Sequence, residues 1–155
     1  MQLGRITAVT ITSPDLDRVI DIYSKYLGYR FISSTTVSAE QAKRWDAENI
    51  EGSKMIFMSP ESSNDFFFRF IQQDIDEDYV PFGTYGWNAA ELIVKDVDQS
   101  AENLIGSPFE VIGEPADLSF TDQIRAMQIL GPSKEIIYLT QFKSKLNEFD
   151  SPSPR

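Results

Sequence analysis

The chain has no histidine and no cysteine among its 155 residues. Without histidine there is no imidazole base, no nucleophile–histidine pair and no iron site built from two histidines and a carboxylate. Without cysteine there are no disulfides and no thiol chemistry, which is compatible with a reducing cytoplasm, the expected location. No apolar run is long enough to span a bilayer, and the first residues lack a signal-peptide pattern, so no membrane partner is expected. Basic residues are scarce, with 14 Lys and Arg against 24 Asp and Glu and a formal charge of −10. Nonspecific nucleic-acid binding needs a basic footprint, so nucleic acid is excluded as a partner. The acidic balance serves solubility; its sharper meaning is a field that attracts cationic ligands.

What is present is enough for a core. Hydrophobic residues make up 41% of the chain and aromatic residues 12%, which places it among folding sequences rather than disordered ones. The length fits one compact domain.

The stretch 7–31 organises the reading. Residues 6–12 mix β-branched and alternating polar positions, which predicts a strand. Ser13 then offers a helix cap, Pro14 suits the first helical position, and Asp15 and Asp17 face the positive end of the helix dipole. Leu16, Val19, Ile20, Tyr23 and Leu27 follow at helical spacing as one apolar stripe. Gly28 ends the helix, and residues 29–37 return to strand composition.

A weaker copy opens the second half. A strand over residues 89–94 runs into Asp96-Val97-Asp98, as the first ran into Asp15-Leu16-Asp17. A helix with Val97, Ala101, Leu104 and Ile105 comes next, then Gly106, then a strand over 109–112. Asp96 and Gln99 have capping-box spacing. The shared turn, helix and closing glycine favour internal duplication.

Between the copies, Ser38 and Gln41 form a capping box for a short helix that runs to about Ala47 and carries Trp45. Residues 53–58 and 65–72 read as a hairpin joined by a turn over 59–64. The second of these strands is apolar on both faces, which predicts cover on both sides. Residues 73–86 are acidic and then rich in Pro, Gly and aromatics, and form the connector. In the second half a loop is expected from Gly113 to about Thr121. A strand over 124–130, a tight turn over 131–134 and a last strand over 135–142 follow. Residues 143–155 are polar with two Ser-Pro steps and read as a flexible tail.

Two βαβββ units in this order, with a Gly-Pro turn before the last strand, resemble the vicinal oxygen chelate superfamily of glyoxalases, bleomycin resistance proteins and extradiol dioxygenases. The resemblance covers about residues 2–142. It implies an α+β fold in which two βαβββ units form a paired half-barrel around a ligand cavity. Unit one would span about 2–72 and unit two about 87–142, and a homodimer is implied. Metal-dependent relatives place a His or Gln on the first strand of each unit and a carboxylate on the last. Matching the turns puts Ala8 and Ala89 at the first-strand positions, with Arg69 and Tyr138 at the others. None of these is a metal ligand in this chemistry, so no metal and no cofactor is expected. An oxygen-only site of Asp, Glu, Asn or Gln stays open, although nothing clusters at ligand spacing.

Alternation along the strands extends the cavity. Inward positions are Ala8, Thr10 and Thr12; Phe67, Arg69 and Ile71; Trp87, Ala89, Glu91 and Ile93; and Ile136, Tyr138 and Thr140. The opposite faces, with Val9, Ile11, Phe66, Phe68, Phe70, Leu92, Val94, Ile137 and Leu139, are purely apolar and would pack under the helices. Arg69, Glu91 and Tyr138 are the candidate catalytic residues: Arg69 gripping a carboxylate or enolate oxygen, Glu91 as a base, Tyr138 donating to an oxyanion. Thr10, Phe67, Trp87, Ala8 and Ala89 are candidate ligand-binding residues. A structural account stands beside this, in which Arg69 and Glu91 pair with each other and Tyr138 fills the core. Trp45 and residues 118–122 are placed as a lid. The functional expectation is a small organic molecule in an apolar, aromatic cavity, turned over by metal-independent lyase or isomerase chemistry. The alternative is non-catalytic binding or sequestration of the bleomycin-resistance type.

Overall fold

In both halves an aspartate begins the main helix by taking a backbone N–H one turn ahead. Asp15 accepts from the Arg18 amide and Asp96 from the Gln99 amide, each at 2.9 Å. Both caps have extended backbone, with φ of −133° and −147°. The first cap lies two residues beyond the expected Ser13. A carboxylate is the stronger acceptor at the positive end of a helix, and Ser13 instead braces the Asp15 backbone from the preceding turn. Gln99 does not close the second capping box, because its side chain bonds Glu102 and Asn103. At Ser38 both halves of the box are made.

The computed structural model describes residues 6–63, 65–83 and 85–144. Of the tail expected over 143–155, residues 145–155 lie outside the described residues, as do Asn64 of the hairpin turn and Thr84 of the connector; Lys143 bonds the Gln123 carbonyl and Asp117. The chain divides into two compact units, Met1–Tyr79 and Val80–Arg155.

The first unit runs β1 (Ala8–Ser13), α1 (Leu16–Leu27), β2 (Tyr29–Thr36), α2 (Ala39–Arg44), a 3-10 turn (Glu48–Ile50), β3 (Lys54–Pro60) and β4 (Phe67–Gln72). Its sheet has the order β1-β4-β3-β2, with β1 parallel to β4 and the other pairs antiparallel. Gly28 stops α1 in the left-handed conformation at φ 65°, which lets β2 begin one residue later.

The second unit runs β5 (Ala89–Ile93), α3 (Val97–Asn103), β6 (Glu110–Leu118), β7 (Thr121–Leu130) and β8 (Ile136–Phe142). Its order is β5-β8-β7-β6, again with the first strand parallel to the last. Each unit is thus a βαβββ unit with the same mixed sheet, and the fold class is α+β as expected.

One element departs from the sequence reading. The loop expected over 113–121 is instead a long hairpin, with β6 continuing through Pro115 to Leu118 and turning at Ser119-Phe120. Proline loses a ladder hydrogen bond, so it reads as a breaker, but β6 is the sheet's edge and its pairing shifts between Gly113 and Ala116. The short α2 likewise ends three residues earlier than expected, and Trp45 is its C-cap.

The sheet of the first unit is covered on two sides by different means. On one side Tyr23 of α1 packs edge-on against Phe68 at 5.6 Å and Phe70 at 4.9 Å, and all three are fully buried. On the other side α2 and the 3-10 turn cover one end of the strands. There Val37, Ala42, Ile50, Met55 and Ile71 are buried together, with Trp45 and Phe57 packed against them. In the second unit Val97, Leu104, Met127, Ile129, Ile137 and Leu139 are buried. The turn into β8 closes when Gly131 donates to the Glu135 carbonyl at 2.7 Å and the Glu135 carboxylate takes the Ser133 amide at 2.8 Å.

Two substitutions test these packings by urea unfolding. Phe70→Ala removes the ring under Tyr23 and is expected to cost about 3–5 kcal/mol. Gly131→Ala puts a Cβ 2.0 Å from the Glu135 carboxylate oxygen. It is expected to cost about 1–3 kcal/mol, with Glu135→Ala restoring part of the loss in the double variant.

Candidate functional site

Arg69 is the one charged residue that β4 points away from α1. Its neighbours Phe68 and Phe70 go under Tyr23, so alternation sends Arg69 to the opposite face with Phe67 and Ile71. Pairing in register sets Thr10 of β1 on one flank and Phe57 of β3 on the other. The Arg69 Nε donates to Thr10 Oγ1 at 2.8 Å. The guanidinium carbon lies 4.3 Å from the centre of the Trp45 ring. Trp45 is fixed by its own packing against the cluster under α2, so it forms a platform for the cation. Burial pushes the Arg69 pKa below the ordinary guanidinium value, leaving it charged. No carboxylate of the first unit lies within ion-pairing distance of it among the described residues.

Phe67 follows along the same face, opposite Ala8 on β1. Its ring stands edge-on to Phe57 with centroids 6.4 Å apart. The face therefore offers one held cation, a hydroxyl, and two half-buried rings beside a small residue.

In the second unit Glu91 lies opposite Tyr138 across the parallel pair, and Ala89 lies opposite Ile136. The Glu91 carboxylate accepts a hydrogen bond of 2.7 Å from the buried Thr140 hydroxyl. Glu91 itself is exposed and Tyr138 half-buried. The candidate trio is thus divided, with Arg69 on the first sheet and Glu91 and Tyr138 together on the second. Within its own unit each charged group is held by a hydroxyl, Arg69 by Thr10 and Glu91 by Thr140. Trp87 departs most from its expected place. It precedes β5 and is 94% exposed, so it walls no part of its own unit. The expected lid over 118–122 is the β6–β7 hairpin tip, with Phe120 exposed. Sequence reading left Phe57 out of the site; its position opposite Arg69 depends on the β3–β4 register.

No sequence-family model matches the chain, and no curated protein matches it by sequence. Solved structures do. A glyoxalase family protein from Bacillus cereus superposes with a TM-score of 0.69 at 18% identity, covering 93% of this chain and 97% of that one. The genomically encoded fosfomycin resistance protein FosX from Listeria monocytogenes superposes with a TM-score of 0.62 at 15% identity, covering 96% and 98%. A glyoxalase/bleomycin resistance protein/dioxygenase from Alicyclobacillus acidocaldarius gives 0.61 at 10% identity, covering 94% and 97%. This chain has the glyoxalase/bleomycin resistance/dioxygenase fold.

Within that fold a structure of FosX holds Mn(II) and sulfate, so the present residues can be judged as metal ligands. They do not fit. Of the positions that the resemblance would give to ligands, Ala8 and Ala89 carry no donor, and Arg69 is a cation stacked on Trp45. Among the described residues no three Asp or Glu side chains gather where an ion could be held.

A second charged cluster lies on the helix side of the second unit. Arg125 of β7 makes two 2.8 Å bonds to Asp98 in the first turn of α3 and one of 3.3 Å to Asp117 of β6. Lys143 adds a 2.7 Å bond to Asp117. Alongside it, Gln141 accepts from the Val97 amide at 3.1 Å. These bonds pin the start of α3 to the sheet, which is a structural task.

The hydrogen bond from Arg125 holds the Asp98 carboxyl below the usual carboxylate range, and that from Lys143 does the same for Asp117. A carboxyl with a lowered folded-state pKa adds stability above its unfolded value of about 4, and the gain disappears as pH falls through the folded value. Thermal unfolding followed from about pH 6 to about pH 2 should therefore show an acid-side loss that is reduced in the Asp98→Asn, Asp117→Asn double variant. The same acid slope in both proteins would remove this cluster as its source.

Proposed function

We propose that the chain binds a small organic molecule at the open part of the first unit's sheet, with Arg69 gripping an anionic oxygen group. The observation that carries this reading is a guanidinium immobilised by neutral partners. Thr10 takes its Nε and Trp45 its face, and among the described residues no carboxylate of the unit pairs with its charge. A half-buried cation so placed gains from an incoming anion what it lost in desolvation. Phe67 and Phe57 supply an apolar wall, Ala8 leaves room beside it, and Thr10 orients the arginine. Few polar groups on an aromatic surface is the usual make-up of a small-molecule site. The fold's neighbours support placing the chain in the vicinal oxygen chelate superfamily, where it would be a member without the usual metal ligands.

A second reading is metal-independent lyase or isomerase chemistry. It is favoured by Glu91, which sits across from Tyr138 with a hydrogen bond from Thr140, as a base beside an oxyanion donor would. Stoichiometric binding without turnover supports the sequestration reading, and conversion of the bound compound supports the catalytic one. In the latter case Glu91→Gln should lower turnover by about a hundredfold or more; full activity would remove Glu91 as the base. The superfamily reading also carries a homodimer, and light scattering at the monomer mass would count against it.

Arg69→Met should weaken binding of small organic anions by about tenfold or more, read by calorimetry against a panel of carboxylates. Unchanged affinity across the panel would overturn the proposal. Thr10→Val should give a smaller loss, because it frees the arginine without removing its charge.

A further inference from the structure

The way Arg69 is held says more about the ligand than that it is an anion. An arginine has five N–H donors in one plane. Thr10 uses the Nε proton, and Trp45 lies against the flat face. What remains is the end of the fork, two terminal nitrogens side by side. That end matches two oxygens in the same plane, which is the geometry of a carboxylate.

The neighbouring side chains sharpen the match. The residues that share this face on β1, β3 and β4 near Arg69 are Thr10, Thr12, Met55, Phe57, Phe67 and Ile71, and all are uncharged. A phosphate or phosphonate carries a third oxygen and up to a second charge, and no second cation on β1, β3 or β4 answers them; the other cation of the face, Arg30, stands on the edge strand β2 opposite Ser59. The next groups outward are the Phe57 and Phe67 rings, standing at 88° to each other. Such an edge-to-face pair presents both a ring face and a ring edge, which favours a flat conjugated body over a puckered saturated one. Ala8, opposite Phe67, leaves the space that a larger side chain would fill.

We infer that the ligand of this face is a planar carboxylate joined to an aromatic or conjugated body, the carboxylate on the Arg69 fork and the body against Phe57 and Phe67. This rests on the anion-binding reading of Arg69 and adds the class of molecule to it.

The test uses three probes of similar size on the full chain: benzoate, cyclohexanecarboxylate and phenylphosphonate. Calorimetry should find benzoate bound at least about tenfold more tightly than either of the others. Arg69→Lys, which keeps the charge but loses the fork, should remove most of that preference and guards against a variant that fails to fold. The chain has two tryptophans, so its indole N–H signals are few. Benzoate should shift the one assigned to Trp45 by its loss in Trp45→Phe. If phenylphosphonate or cyclohexanecarboxylate binds as tightly as benzoate and Arg69→Met abolishes both, the ligand class is wrong and the anion site stands. If no probe shows binding that depends on Arg69, both fall.

Discussion

The parallel pairing of β1 with β4 is the constraint on which the first unit depends. It sets Thr10 beside Arg69, and it fixes which side of β4 meets α1. Phe68 and Phe70 then enter the aromatic cluster with Tyr23, while Phe67, Arg69 and Ile71 face the other way. A slip of one residue would put a guanidinium under a buried tyrosine and two phenylalanines in its place. The cost of burying that charge unpaired is far larger than any local preference of the strand, so the register is held by what it excludes.

The second unit repeats the same topology with different chemistry on the corresponding strands. Where the first has Thr10 and Arg69, the second has Glu91 and Tyr138. A hydroxyl satisfies the charged group in each: Thr10 for Arg69, Thr140 for Glu91. The first-strand positions that the resemblance would give to metal ligands hold alanine in both units, Ala8 and Ala89, which have no donor.

The helix side and the open side of the sheets also divide the charged residues by task. Arg125 is surrounded by Asp98, Asp117 and Lys143 and holds α3 in place. Arg69 has an aromatic ring and a hydroxyl in their stead. The two arginines show why ion pairing alone is a poor guide to a site: the fully paired one fastens a helix to its sheet, and the one held by neutral groups is the one proposed to meet a ligand.

Much of this was legible in residue order. Repetition of the Asp-apolar-Asp turn, the helical stripe and the two sides of the strand before the connector were enough for two βαβββ units and for turning Arg69 away from the helix. Local patterns suffice there because a strand has a period of two and a helix of 3.6 whatever surrounds them. The extent of β6 was not legible, since a proline is tolerated at a sheet edge and only the assembled sheet says which strand is the edge. Nor was the role of Trp45, which comes to Arg69 from 24 residues away through the packing of α2 on the strands, or the exposure of Trp87. The sequence by itself determined the element order, the faces and the absence of imidazole and thiol ligands. Only the tertiary structure decided what touches the arginine, because contacts between distant segments follow from packing that no local period encodes.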